Sequence, residues 1–232
     1  MTQLLDMSHA SKLDLYLGRI DSSSQQLRQV LTTLKGIGLQ GTWLGSRKLG
    51  PDSPEYKWCT EVARILAEKG IAAKTGGGPG LMEAPHYGCH LAGFPKLAIA
   101  VCAEFLQKEE DANPYAKQGG QIFTMPDFNS RHDCLFFGSL FHIILPGRLG
   151  TIHEMYDLLN RLKHSLLAKA PVYFAERDGY WSLKMEFFTR SMGEELGPRI
   201  SPADYDLTKK INILEMSAAD FATMLLIDIG YS

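Results

Sequence analysis

The strongest constraint on what this chain can fold into is a regular alternation of short apolar runs with amphipathic helical stretches. Residues 42–46 read as a strand running into a tight turn. Ser53-Pro54-Glu55 then opens a helix with an N-cap, a proline at the first helical position and an acid in the first turn. That helix turns Trp58, Val62, Ile65 and Leu66 inward and stops at Lys69-Gly70. Further strand-length runs lie at 71–75, 97–102, 121–125, 141–145, 171–175 and 210–214. Helices are expected from about 81, from about 130, over the stripe Ile152, Met155, Tyr156, Leu159 and Leu162, at 180–196 and at 217–226. Strands this short, alternating with helices, build an α/β Rossmann-like fold: a doubly wound, mostly parallel sheet with helices on both faces. Right-handed crossovers gather the strand-to-helix turns at one edge, where such sheets bind ligands.

Upstream, residues 22–35 form an amphipathic helix with Leu27, Val30, Leu31 and Leu34 on one stripe and Gly36 at its end. The chain therefore divides into a helical extension over 1–38 and a single nucleotide-binding domain over 39–232. At roughly 150 residues per domain, 232 residues suit one large domain with an appendage. With 24 basic and 26 acidic side chains the net charge is −2, which argues against a nucleic-acid polymer as partner. One local basic pocket remains compatible with that balance. Cys59, Cys89, Cys102 and Cys134 form no Cys-x-x-Cys pair. Asp6, His9, Lys12 and Asp14 interrupt the first residues, and no run is apolar enough to span a bilayer. A cytoplasmic protein without a membrane partner is expected.

Three strand-to-helix turns carry the candidate chemistry. The first is Gly45-Ser46-Arg47. The second is Thr75-Gly76-Gly77-Gly78-Pro79-Gly80-Leu81-Met82-Glu83-Ala84, whose glycines let backbone N–H groups approach a ligand before a helix N-terminus that favours an anion. The third, Pro146-Gly147-Arg148-Leu149-Gly150-Thr151-Ile152-His153-Glu154, offers backbone amides and the Thr151 hydroxyl to a phosphate, with Glu154 one turn into the helix. Neither glycine-rich turn is a Walker A loop, and neither has the dinucleotide Gly-x-Gly-x-x-Gly spacing.

Together the second and third turns resemble the Gly-Gly-Gly-x-x-Gly-x-Met and Pro-Gly-Gly-x-Gly-Thr-x-x-Glu patterns of the LONELY GUY family of nucleoside 5′-monophosphate phosphoribohydrolases. Similar too are residues 44–47, 51–56, 113–115 and 200–206, the last three suiting the longer bacterial branch. The resemblance implies hydrolysis of an N-glycosidic bond to free base and ribose 5-phosphate, with no metal and no cofactor, by a homodimer. It assigns Arg131, in Phe128-Asn129-Ser130-Arg131-His132, and Glu154 as the catalytic pair. It further implies substrate contacts at Gly45, Ser46, Gly76, Gly77, Gly78, Met82, Glu83, Gly147, Arg148, Gly150 and Thr151. Two positions depart from the pattern. Arg148 replaces the second glycine of Pro-Gly-Gly, and His132 follows the catalytic Arg where Lys is usual. If position 148 needs positive φ or a bare backbone, Arg is costly there; otherwise it adds a cation to the site.

Other residues have plainer readings. His86, Cys89 and His90 share part of a helix but find no partner motif for a metal. His153 does not face Glu154, because adjacent helical residues diverge. Glu83 is either a first-turn acid or a ribose contact. The helix carrying Cys134, Leu135, Phe136, Phe137, Leu140 and Phe141 is apolar around most of its surface, hence the homodimer expectation. Arg148 favours an alternative of another class, a nucleotide- or pterin-binding carrier or sensor without hydrolysis. Lysine decarboxylase, a label that travels with these motifs, finds no pyridoxal-phosphate lysine motif here.

Overall fold

The computed structural model describes residues 9–106, 111–184 and 208–231. Seven strands form one parallel sheet: β1 (Gln40–Leu44), β2 (Ala72–Thr75), β3 (Ala98–Ala103), β4 (Gln121–Met125), β5 (His142–Ile144), β6 (Val172–Glu176) and β7 (Thr208–Asn212), in the order β4-β3-β2-β1-β5-β6-β7. The chain therefore winds outward from β1 in one direction, returns to its other side at β5, and winds outward again. Such a reversal opens a crevice between the carboxyl ends of the two strands where the direction changes, here β1 and β5.

Successive strand residues point to opposite faces, so Trp43, Ile143 and Tyr173 belong to one core and Leu44, Ile144 and Phe174 to the other. The first core is covered by α2 (Pro54–Glu68), α3 (Ala84–Leu91) and α8 (Ala218–Asp228) through Trp58, Val62, Cys89, Phe221 and Leu225. The second lies under α1 (His9–Ile37), α5 (Phe128–Phe136) and α6 (Leu149–Lys163) through Val30, Leu34, Leu135, Phe136, Met155 and Leu158. Each of these large apolar side chains contributes about 1.5–3 kcal/mol on burial. A four-residue helix, α4 (Pro114–Lys117), lies between β3 and β4, capped by Asn113 accepting from the Ala116 amide. Another, α7, begins at Tyr180. Its expected run to 196 and the 200–206 motif lie outside the described residues.

Two elements differ from expectation. Helix α1 starts at His9, well before residue 22, and runs through Gly18 and Gly36 before Gly38 ends it at φ +92°. It is fastened to the second half of the molecule: Ser23 Oγ donates to Asp127 Oδ2 at 2.5 Å and Gln26 Nε2 to the Thr124 carbonyl at 2.7 Å. Helix α5 ends at Phe136, because Phe137 is extended and Gly138 has φ +75°. Leu140 and Phe141 thus leave the helix and lead into β5. Cys134, Leu135 and Phe136 are buried against the sheet, α1 and α6, whereas Phe128, at the start of α5, is exposed.

A buried polar row crosses the α5 face of the sheet. Lys74 Nζ donates to the Phe137 carbonyl at 2.8 Å, and the Thr42 hydroxyl donates to the Leu135 carbonyl. A cation is favourable at that helix C-terminus. Burial pushes the Lys74 ammonium down to about 7, and the His142 imidazole, in the same row, down to about 3. His86 on α3 is likewise held down, to about 4, by burial. Unfolding returns both histidines to the ordinary value near 6.5, so between that value and their folded ones the unfolded chain binds more protons. Their contribution to stability is complete above pH 6.5 and is lost as pH falls towards 4. Each adds a slope of up to about 1.4 kcal/mol per pH unit. Urea denaturation at pH 7 and pH 5 is expected to show this loss, and His142→Phe to reduce it; equal stability at both pH values would contradict it.

Candidate active site

Backbone hydrogen bonds fix the turns after β1, β2 and β5 against one another. The Ser46 amide donates to the Pro146 carbonyl at 3.0 Å, and the Leu81 amide to the Ser46 carbonyl at 2.9 Å. Gly45 permits the approach, since a Cβ there would lie 2.8 Å from Leu81 Cβ. Between the turns opens a cleft of about 640 Å³ lined by Gly45, Ser46, Met82, Arg131, Arg148, Gly150, Thr151 and Glu154 among the expected residues.

At its floor Arg131 Nη1 donates to Glu154 Oε1 at 2.6 Å, and Arg131 Nε donates to the Val101 carbonyl at 2.9 Å. Both side chains are buried, Arg131 5% and Glu154 9% exposed. Two helix starts aim them at each other. Asp127 caps α5 by accepting from the Ser130 amide at 2.9 Å, and Glu154 sits in the second turn of α6. Removing one partner of such a pair strands a buried charge, at a cost of about 3–5 kcal/mol.

Above the pair lies the N-terminus of α6. Arg148 is its N-cap residue, makes no side-chain cap bond, and has φ −92° and ψ −158°. This extended conformation suits any residue, so arginine in place of glycine brings no backbone strain, and its exposed side chain reaches the cleft. Gly147 leaves room for Thr151: a Cβ would fall 2.1 Å from Thr151 Oγ1. The Gly147 amide, expected to face a ligand, donates instead to Tyr180 Oη at 3.3 Å, while the Tyr180 hydroxyl donates to the Gly147 carbonyl. The Gly150 and Thr151 amides of the first α6 turn remain for an anion.

Gly76, Gly77, Gly78 and Glu83 lie beside the cleft lining and not on it. Gly76 makes space for the Arg131 guanidinium and the Met82 sulfur: a Cβ there would sit 2.3 Å from Arg131 Nη2 and 2.8 Å from Met82 Sδ. Gly77, at φ +83°, packs on Cys102 and Ala100. Asn113 Nδ2 donates to the Gly77 and Gly78 carbonyls at 2.9 and 3.2 Å, tying the turn to the loop before α4. Glu83 accepts from the Tyr56 hydroxyl at 2.8 Å. His86 faces the Ile99 carbonyl and Asn113, and His90 the Tyr115 carbonyl. Among the described residues no group of three or more His, Cys, Asp or Glu side chains is gathered to hold a metal.

Leu106, Phe128, His132 and His153 add a largely aromatic wall to the cleft. His153 packs on Phe128 and His132, with ring centroids 5.6 and 5.0 Å apart. His132 Nδ1 is 2.6 Å from Asp157 Oδ2, and its buried Nε2 has no partner. Desolvation by burial holds the imidazole below its ordinary pKa, although Asp157 opposes this. Lys48 also reaches the cleft. The sequence signal for these residues is their place just after β1 (Lys48), β3 (Leu106), β4 (Phe128, His132) and β5 (His153), at the same sheet edge as the motifs.

A family model described as possible lysine decarboxylase, a description that accompanies LONELY GUY proteins, matches residues 82–211, a span that holds both Arg131 and Glu154. The chain belongs to the LONELY GUY family. Solved structures agree on its fold. The molybdenum cofactor binding protein of Rippkaea orientalis is 17% identical, with a TM-score of 0.55 over 81% of this chain and 94% of that one. The molybdenum cofactor carrier protein of Chlamydomonas reinhardtii is 16% identical, with a TM-score of 0.54 over 83% and 98%. DNA processing protein A of Helicobacter pylori is 15% identical, with a TM-score of 0.54 over 82% and 81%. No curated protein matches the LONELY GUY chain by sequence. Among its described residues, no helix is long and apolar enough to cross a membrane.

Proposed function

We propose that this cleft hydrolyses the N-glycosidic bond of a nucleoside 5′-monophosphate, releasing free base and ribose 5-phosphate. The observation that carries the reading is the buried Arg131–Glu154 pair beneath the α6 N-terminus. The 5′-phosphate sits on the Gly150 and Thr151 amides and the Thr151 hydroxyl, where the helix dipole favours its charge. Its binding energy orients the ribose with the anomeric carbon over Glu154. As the bond to the base breaks, positive charge grows on the ribose, and the carboxylate beside it stabilises that oxocarbenium character. Water adds to the anomeric carbon and gives up a proton to Glu154, which delivers it to the departing base and returns to the carboxylate. Arg131 holds Glu154 by one oxygen and leaves the other for this work. The base stacks on the wall of Phe128 and His153.

A second reading is a carrier that holds a phosphorylated pterin cofactor without cleaving it. Two of the solved proteins of this fold are a molybdenum cofactor binding protein and a molybdenum cofactor carrier protein. Arg148 supports it as well, adding a cation where the family pattern has glycine. One experiment separates the readings. Purified protein is incubated with AMP, GMP, CMP, UMP and a prenylated AMP, and free base is followed by chromatography. Release from at least one substrate is expected. Tight binding of nucleotide with no base released from any of them would replace the enzyme by the carrier.

A further inference from the structure

The loop that opens α6 is tied down from two sides. On one, the Ser46 amide donates to the Pro146 carbonyl at 3.0 Å. On the other, one side-chain oxygen serves both polar groups of the next residue. Tyr180 Oη accepts from the Gly147 amide at 3.3 Å and donates to the Gly147 carbonyl. Gly147 is buried, so this hydroxyl satisfies two backbone groups that burial withholds from water. Gly147 in turn seats Thr151, whose Oγ1 would lie 2.1 Å from a Cβ added at 147. The chain after β6 is shaped to deliver Tyr180. Asp178 and Gly179 both adopt left-handed backbone, at φ +58° and +70°, a conformation costly for a residue with a Cβ. Glu176 then holds the first turn of α7, accepting from the Trp181 and Ser182 amides at 2.7 and 2.9 Å and from the Ser182 hydroxyl at 2.7 Å. Trp181 is fully buried and meets the Tyr180 ring edge-on, with centroids 5.0 Å apart. Lys184 Nζ covers the same ring, 3.2 Å from its centroid.

We propose that Tyr180 is a positioning residue for the phosphate end of the cleft. Through Gly147 it holds Thr151 and the first turn of α6 where an anion can use their donors. Tyr180 is not among the residues that line the cleft, so it acts through the loop and not on the ligand. Without its hydroxyl, two buried backbone groups would have to turn towards other partners, and Thr151, packed on Gly147, would turn with them. Donors fixed in advance need no reorganisation when the anion arrives, which is where their binding energy comes from. The turn after β6 thereby joins those after β1, β2 and β5 in building the site. The inference rests on the placement of a phosphate at α6 but not on hydrolysis, since it concerns binding.

The test is isothermal titration of the full-length protein with ribose 5-phosphate, which has the phosphate but no base, and with adenosine, which has the base but no phosphate. Tyr180→Phe keeps the ring beneath Lys184 and beside Trp181 and removes only the hydroxyl. It is expected to weaken ribose 5-phosphate binding about tenfold, equivalent to about 1.4 kcal/mol, and to leave adenosine binding unchanged. Tyr173→Phe is the control. Tyr173 lies outside the cleft lining and donates its hydroxyl to Asp228 Oδ2 at 2.6 Å, so its loss removes a similar bond far from the phosphate loop. Ribose 5-phosphate bound as tightly by folded Tyr180→Phe as by the native protein overturns the proposal. So does an equal loss for both ligands, or the same loss in Tyr173→Phe, since each marks a general effect on the fold. Native protein that does not bind ribose 5-phosphate would remove the phosphate reading, and this inference with it. The expected loss in Tyr180→Phe, without base release from any monophosphate by the native protein, would support the inference and remove hydrolysis alone.

Discussion

Glu154→Gln is expected to lower base release by about 10²–10⁴-fold, the range lost when a positioned acid–base group is removed. The amide keeps the shape of the carboxylate and can still face Arg131, so the helix start and the phosphate end of the cleft stay in place. It can neither stabilise positive charge on the ribose nor accept the proton of water. The loss should therefore fall on kcat and leave KM nearly unchanged, as for an interaction made only in the transition state. Arg131→Ala should also abolish release, but it leaves Glu154 buried without its 2.6 Å partner and should destabilise the fold as well. Full turnover by Glu154→Gln would remove this carboxylate from the chemistry.

Gly76→Ala is expected to cost about 10²-fold in turnover with much less effect on stability. The added methyl would enter the space of Arg131 Nη2, at 2.3 Å, and Met82 Sδ, at 2.8 Å. Both are ends of flexible side chains, which can move aside where rigid backbone could not. The movement is what matters, because Arg131 is held between the Val101 carbonyl and Glu154, and a displacement of roughly 1 Å at such a pair is worth about 10²-fold. Steady-state kinetics beside a thermal melt would check it. Normal turnover in a folded Gly76→Ala protein would show that Arg131 need not be held where it is.

These two predictions also mark what was legible in the sequence. The alternation of apolar runs and amphipathic helices predicts a parallel sheet with helices on both faces, and the 121–125 strand coincides with β4. The boundaries of α1 and α5 were not legible, because glycine is ambiguous without its surroundings. Gly36 reads as a stop yet lies within α1, whereas Gly38, at φ +92°, ends it. Gly41 falls before the expected 42–46 strand yet lies in β1, where a Cβ would meet the Phe141 ring at 2.0 Å. The same difficulty recurs at the site. A run of three glycines signals that a backbone is approached closely, but not by what. At Gly76 the visitor is the guanidinium of Arg131, and at Gly77 the side chains of Cys102 and Ala100. Tyr180 was invisible for another reason. It reaches Gly147 from 33 residues away with no motif around it, and only the fold brings the two together.

The reversal of the sheet at β1 and β5 has a kinetic meaning. One wall of the cleft comes from turns near residues 45 and 80, the other from the turn near 148, and the Ser46–Pro146 bond joins them across 100 positions of sequence. Contacts of such separation form late, because the chain entropy lost in closing the loop is recovered only when both halves dock. No early intermediate can hold a nucleotide on both walls. A ligand that bridges them selects the completed fold, and saturating it should raise the stability of the whole molecule by mass action. For this architecture, occupancy of the cleft and completion of folding report on the same event.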